Sequence, residues 1–316
     1  MSDHVPRIIA SLKRTLSRMA LAGATLFGIS ALVFCLIHLI PGDPVDVMLG
    51  EGASLADRES LRQQLGLTAP LSVQFVRYYT NLAALDLGVS LQTQQPIVEL
   101  LASRAPYTFA LAGVALSFAL LLALPLGIWA ALRPHRWPDH LSAGFALLGG
   151  AFPNFVLGPI LIVIFAVQLG WLPIGGADSA LSVVLPAATL SLGLAAILSR
   201  QLRAALLGVL AEPYLRAATA RGLPFSTVLR RHALRNAALP VLTVFGMQLG
   251  VLLGGAVITE TVFAWPGLGT LTIEAIERRD YPVLQACILF ISTTYVVINT
   301  LTDLVIAWCD PRIDAA

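Results

Sequence analysis

Of the 316 residues, 57% are hydrophobic and only 12% charged, and the mean hydropathy is +0.81. Soluble domains carry about 25% charged residues, so a soluble globular protein is excluded and a polytopic membrane protein is indicated. The formal net charge of +2 is too small to point to nucleic acid, which is not expected as a partner.

Pro6 to Arg18 is a basic segment holding Arg7, Lys13, Arg14 and Arg18, and an apolar run follows from Met19 to Ile40. That run matches the ~20 residues a span needs and has no small-residue cleavage site, so a retained anchor is expected. His38 near its end is expected to be an interfacial histidine and no metal ligand. The run stops at Pro41-Gly42-Asp43-Pro44, and a long amphiphilic region extends to Arg104. There, Ser54 with Asp57 resembles a capping box for a short helix ending at Gly66. Leu71 to Leu82 has helical apolar spacing, and Pro96 is expected to open a third short helix. A small helical cap outside the membrane is expected, because about 60 residues with few consecutive apolar positions make a marginal core.

Five more spans follow, at roughly Thr108 to Ala131, Leu141 to Leu169, Leu181 to Leu207, Ala237 to Ile258 and Val283 to Trp308. Pro125, Pro153, Pro159 and Pro186 lie inside them and predict kinks, which membrane helices tolerate where neighbours take up the freed carbonyls. Gly246, Gly250 and Gly254 repeat at four-residue spacing, a face for close helix packing or for the lining of a conduit. Cys35, Cys287 and Cys309 lie in or at the edge of apolar runs without CxxC or Cys/His spacing, and are expected as small hydrophobes at helix positions.

Between the fourth and fifth spans stands EPYLRAATARGLPFSTVLRRHALRNAALP, Glu212 to Pro240. Pro213 can open a short helix, Gly222 can close it in a left-handed conformation, and Pro224 prevents its continuation. Ser226 can cap a second helix in which Phe225, Val228, Leu229 and His232 form an apolar face, with Arg230, Arg231 and Arg235 pointing elsewhere. With a cytoplasmic N-terminus, fourteen of the twenty Lys/Arg residues fall inside, so both termini and this helix pair are expected in the cytoplasm and the acid-rich first loop outside. By spacing alone, the arginines also suit an anchor to anionic membrane lipids.

The stretch LRAATARGLPFSTVLRRHALRNAALP resembles the cytoplasmic coupling loop of binding-protein-dependent ABC importer permeases, with Arg216-Ala217-Ala218, three residues and Gly222 in place of Glu-Ala-Ala, three residues and Gly. His232 stands where the general pattern has Ile, and Arg235 replaces its proline. Both departures match the dipeptide/oligopeptide/nickel branch. LIPGDP (Leu39 to Pro44), QLGL (Gln64 to Leu67), DLGVSLQTQQP (Asp86 to Pro96), LGWLP (Leu169 to Pro173), ETVFAWPGLG (Glu260 to Gly269), RDYP (Arg279 to Pro282) and DPRI (Asp310 to Ile313) extend the likeness over nearly the whole chain. The long first loop and PGDP resemble the larger of the two paired permeases.

The resemblance implies an all-α, six-helix, type I ABC importer permease in the bacterial inner membrane, with a helical outer loop after helix 1 and a coupling helix pair between helices 4 and 5. Its parts are a basic cytoplasmic N-terminus (1–18), a first span (19–40), a periplasmic loop (41–104), a permease core (105–308) containing the coupling loop (208–236), and a cytoplasmic tail (309–316). It implies a non-catalytic subunit importing small peptides, or nickel or glutathione-like solutes within the same branch. A second homologous permease, two ATP-binding subunits and a periplasmic solute-binding protein are its implied partners. The chain is expected to bind no cofactor or metal, with ATP and Mg held by the ATPase subunits. Independently, a phosphate-binding P-loop needs Gly-x-x-x-x-Gly-Lys, and the only lysine, Lys13, lies in a segment without glycine.

By the resemblance, ATPase coupling falls to Arg216, Ala217, Ala218, Arg221, Gly222, Leu223, Phe225, Val228, Leu229, Arg230, Arg231, His232, Arg235 and Asn236. A translocation path or outer gate is assigned to Gly246, Gln248, Gly250, Gly254, Glu260, Trp265, Asn299 and Asp303. Glu260 and Asp303 are ionisable groups in or beside spans, which are functional candidates by default; a structural polar contact is the other reading, for Asp303 with Asn299 one turn earlier. Trp265-Pro266-Gly267 suits a re-entrant turn, an interfacial scoop against a docked receptor, or a plain loop. Two other classes stay open. A secondary transporter would favour repeated halves and midplane ionisable groups, of which few are seen. An intramembrane hydrolase would need a nucleophile motif, and Gly-x-Ser-x-Gly and HExxH are both absent.

Overall fold

The structure, a computed structural model, describes residues 20–35, 45, 49, 54–64 and 66–309. The basic N-terminus, His38, the PGDP segment and the DPRI tail lie outside the described residues. Every extended element among those described is a helix. The chain divides into two compact units, one ending at Ala105 and resuming over Thr270–Val296, the other Pro106–Gly269 with the chain from Val297 on.

In the first unit, α1 (Ala20–Cys35) is the apolar helix of the first expected span. α2 (Leu55–Gln64) begins with half of the expected capping box: the Ser54 hydroxyl accepts the Asp57 amide at 3.2 Å, while the Asp57 carboxylate accepts from that same hydroxyl at 2.6 Å and not from the Ser54 amide. Gly66 follows its end at φ +67. α3 (Leu71–Ala83) lies against α1 through rings, Phe27 with Tyr79 at 5.1 Å and Phe34 with Phe75 at 5.3 Å, and Tyr79 and Ser30 share a 2.7 Å hydrogen bond.

Pro96 does not open a short third helix. It precedes α4 (Ile97–Leu132), 36 residues without a break, in which Pro106 and Pro125 are both absorbed. A proline removes one amide donor, and a span this long keeps enough neighbouring bonds to continue.

The second unit is built on α7 (Val184–Leu210), entered through the 3₁₀ turn Ala180–Val183. Its neighbours are α5 (Trp137–Ala151), α6 (Asn154–Leu161, continued by the wide turn Ile162–Gln168) and α9 (Leu234–Val262). Leu111, Ala115, Ala119 and Ala123 follow one another every four residues along α4 and are all buried, a stripe of small side chains on one face. Leu111 and Ala115 pack with Ala187, Leu190, Leu252 and Ala256; Ala119 and Ala123 pack with Leu194, Leu198, Leu202 and Val241. Gly149 brings α5 close to α7, since a Cβ there would stand 2.7 Å from that of Ala196.

Among the described residues, three helices are long and apolar enough to cross a membrane, α4, Ala180–Leu210 and α11 (Tyr281–Cys309). Two further helix pairs, Trp137–Ala151 with Asn154–Gln168 and Phe225–Leu252 with Ala256–Val262, are apolar enough together but bent, each a broken span or a re-entrant loop. The predicted kink at Pro153 is a break of 104° between α5 and α6, because Pro153 sits outside α6 as its N-cap. Pro186 occupies the first turn of α7, where no intrahelical bond is lost.

Candidate functional site

The connection between α7 and α9 is ordered by its prolines and glycine. Glu212 caps α8 (Pro213–Ala220) with Pro213 at the first position, and Gly222 closes it at φ +84. The Gly222 amide reaches the Thr219 carbonyl at 3.0 Å and the Leu223 amide that of Ala218 at 3.4 Å, satisfying the last carbonyls of the helix.

Two details differ from expectation. The second helix starts at Phe225 with Pro224 as its N-cap, and Ser226 is an exposed residue inside it. That helix is also not separate: Phe225–Leu252 runs on as one helix into α9, since nothing between Thr227 and Ala233 breaks it. Instead it widens over Val228–Ala233 into a turn with i→i+5 bonding. The extra residue per turn puts Val228 and Ala233, five apart, on the buried side with Leu206, Leu215, Ala131 and Ala237.

Val228 therefore belongs to the chain's own core and not to an outward apolar face. Leu229 and His232 are half-buried, while Phe225 is 56% exposed. Arg216, Ala217, Arg221, Leu223, Arg230, Arg231, Arg235 and Asn236 are exposed, and Ala218 is half-buried. The outward apolar groups are Tyr214, Leu223 and Phe225. Tyr214 accepts from Asn236 at 2.6 Å, a tie between α8 and α9 that periodicity gave no sign of.

Farther along α7, Arg203 grips Asp139 of α5 through both guanidinium donors, Nη2 to Oδ2 at 2.7 Å and Nε to Oδ1. Asp139 also accepts the His135 amide at 2.9 Å. The sequence reading counted Arg203 only as a charge, and no local pattern pointed to its partner 64 residues away.

Glu260, near the end of α9, is fully buried. It accepts from the Thr108 hydroxyl at 2.6 Å and from the Gly269 amide at 2.7 Å, and Thr108 in turn accepts the Leu268 amide at 2.8 Å. These amides lie in the first turn of α10 (Leu268–Glu277), where a carboxylate satisfies donors without an intrahelical partner. A Cβ on Gly267 would strike the Glu260 carboxylate, which is why glycine stands there.

Trp265 turns inward: it is buried against Leu111 and Ala115, and its indole donates to the Tyr107 carbonyl at 3.0 Å. The Trp265-Pro266-Gly267 segment is thus a bonded turn, and its tryptophan is not offered to a docked receptor. Gly176 donates to the Phe263 carbonyl at 2.9 Å, so the segment after LGWLP meets the turn within ETVFAWPGLG.

On α9, Gly246 lies tight against Thr302 of α11, Gly250 is buried, Gln248 is half-buried, and Gly254 is exposed with open space where a side chain would be. Asn299 is half-buried and Asp303 exposed, and no hydrogen bond joins them among the described residues. Their expected mutual contact is absent there: in α11 the Asp303 side chain points outward.

In the first unit, Asp280 ties two motifs together. It accepts from the Ser90 hydroxyl at 2.5 Å and from the amides of Leu91 at 3.2 Å and Gln92 at 3.4 Å, and it caps α11 through the Val283 amide at 3.5 Å. Arg104 and Glu274 pair nearby at 3.8 Å.

A bundle of apolar spans around α7, with an arginine-studded connection between two of them and no nucleotide-binding loop in its sequence, defines a multi-pass membrane transport component. Residues 123–315 match the family described as binding-protein-dependent transport system inner membrane component, and residues 11–112 match that family's N-terminal model. The chain is 44% identical over 289 residues to the glutathione transport system permease protein GsiC of Escherichia coli O6:H1 (strain CFT073), covering 92% of this chain and 94% of that protein, and equally to GsiC of Escherichia coli (strain K12). Among solved structures, the inward-facing MetNI methionine ABC transporter in its CY5 native crystal form has a similar fold, with a TM-score of 0.55 at 19% identity over 67% of this chain and 97% of that one. The chain belongs to the binding-protein-dependent transport system inner membrane component family. It is a permease subunit of an ABC importer, a non-catalytic membrane component.

Proposed function

We propose that this chain is the permease subunit that carries small peptides or peptide-like solutes from the periplasm into the cytoplasm. A second permease would complete the pathway, two ATP-binding subunits would hold ATP and Mg, and a periplasmic solute-binding protein would deliver the cargo. Both termini and the Glu212 to Pro240 connection face the cytoplasm in this reading, which the arginine distribution supports. The observation that carries it is the exposed set Tyr214, Leu223 and Phe225, flanked by Arg216, Arg221, Arg230 and Arg231. An apolar tip ringed by cations suits a cleft edged with carboxylates on an ATPase.

ATP-driven closure of the ATPases would move this tip and, through the continuous helix from Phe225 into α9, bias the spans between inward- and outward-open states. Glutathione is the most specific cargo supported, because the 44% identical relatives carry that name. Di- and oligopeptides share its backbone chemistry, and nickel chelates remain the reading to test beside them. Uptake of labelled glutathione, dialanine and Ni²⁺ by proteoliposomes holding the complete assembly tests the proposal; it fails if none is taken up in an ATP-dependent manner.

A further inference from the structure

In the first unit, the end of α3, the turn at Asp86–Val89 and the start of α11 enclose a cleft of about 200 Å³. Leu82, Ala286 and Leu289 give it an apolar wall. Four polar side chains line it as well: Tyr78, Asn81, Asp86 and Gln285. One Asp86 oxygen accepts the Gly88 amide at 2.9 Å, which fixes the turn. The other oxygen, the two side-chain amides and the Tyr78 hydroxyl have no hydrogen-bond partner among the described residues. Burial, with Tyr79 beside it, pushes the Tyr78 phenol up to about 12, so it remains a hydroxyl at neutral pH. These groups are open to solvent, Asn81 and Asp86 being exposed and Tyr78 and Gln285 half-buried, and a few polar groups on an apolar wall are the usual make-up of a small-molecule site.

We infer that this cleft binds the amino-terminal end of a peptide-like solute, with Asp86 receiving the ammonium group and Asn81, Gln285 and Tyr78 meeting the adjacent carbonyl. The donor inventory selects this ligand. A lysine or arginine side chain from a docked protein offers donors only and would leave the amide and phenol donors unmatched. A peptide terminus offers an ammonium and a carbonyl within one residue. Only the side of the membrane that the cleft faces rests on the proposed function; the binding does not.

The test is calorimetry on the full chain in lipid nanodiscs, titrated with L-alanyl-L-alanine and with its N-acetyl form. Saturable binding of the free dipeptide is expected, about tenfold weaker after acetylation and about tenfold weaker in Asp86→Asn, the loss expected for one charge-assisted hydrogen bond. Asparagine keeps the oxygen that accepts from Gly88, and the acetylation arm on the unaltered chain stands even if that variant does not fold. Absence of dipeptide binding, equal binding of the two forms, or an unchanged affinity in a folded Asp86→Asn chain each overturns the assignment. Loss of solute-receptor binding in Asp86→Asn without any dipeptide binding overturns it in favour of a docked protein side chain. Dipeptide binding by a chain whose complete assembly shows no ATP-driven uptake supports the cleft and sinks the importer reading instead.

Discussion

Thr108 stands between Glu260 and α10: its hydroxyl donates to the buried carboxylate at 2.6 Å while accepting the Leu268 amide at 2.8 Å. One side chain of α4 thereby joins the end of α9 to the first turn of the next helix. Thr108→Val keeps the shape and removes both bonds, leaving a buried carboxylate short of one donor. A loss of roughly 1–3 kcal/mol is expected, measured as a lower unfolding midpoint in detergent. An unchanged midpoint would show that Glu260 is satisfied without Thr108.

Asp139 and Arg203 make a two-pronged ion pair between α5 and α7. Removing either partner strands a buried aspartate or a half-buried arginine. Asp139→Ala and Arg203→Ala are each expected to cost about 1–3 kcal/mol, and the double variant less than their sum. A double-mutant cycle by thermal unfolding checks this; strictly additive losses would mean that the pair contributes nothing to holding the helices.

Gly222 sits at φ +84 with open space around the position of a Cβ, so only its backbone conformation constrains the residue. Gly222→Asn, which tolerates that region, is expected to retain uptake, whereas Gly222→Val should cost at least about 1 kcal/mol and misdirect α8. ATP-dependent uptake by the assembled transporter, measured for both, distinguishes them; equal activity contradicts the assignment.

Gly246 and Gly254 look alike in sequence and differ in space. Gly246→Ala forces α9 away from Thr302 at a cost of roughly 1–3 kcal/mol, which Thr302→Ser should partly relieve by removing the methyl group. Gly254→Ala meets nothing within 4 Å and is expected to be silent. Unfolding midpoints of the four chains read this directly.

Orientation follows from a labelling experiment. A cysteine replacing the exposed Ser226 should react with a membrane-impermeant thiol reagent in inside-out vesicles only. Reaction in right-side-out vesicles would invert the topology.

Much of this molecule was legible because membrane helices announce themselves in composition, and because Pro213, Gly222 and Ser54 each have one local job that their chemistry dictates. The continuity of Phe225 into α9 was not legible: helical periodicity assumes 3.6 residues per turn, and the wide turn at Val228–Ala233 shifts that register. Pro96 misled for the opposite reason, since a helix-opening signal says nothing of how far the helix runs. Bonds such as Ser90 to Asp280 and Asp139 to Arg203 join positions 190 and 64 residues apart, and no local pattern encodes such pairs. The inward turn of Trp265 depends likewise on Tyr107 and Leu111 of another helix.

The most direct measurement of the central claim is solute uptake by proteoliposomes holding this chain, the second permease, the ATPases and the solute receptor, with and without charge reversal at Arg230 and Arg231. The expected result is uptake that requires ATP and the ATPase subunits, and that the reversed chain loses while its fold and the ATPase activity persist. Downhill movement of solute by this chain alone, or undiminished uptake in the reversed chain, would contradict it.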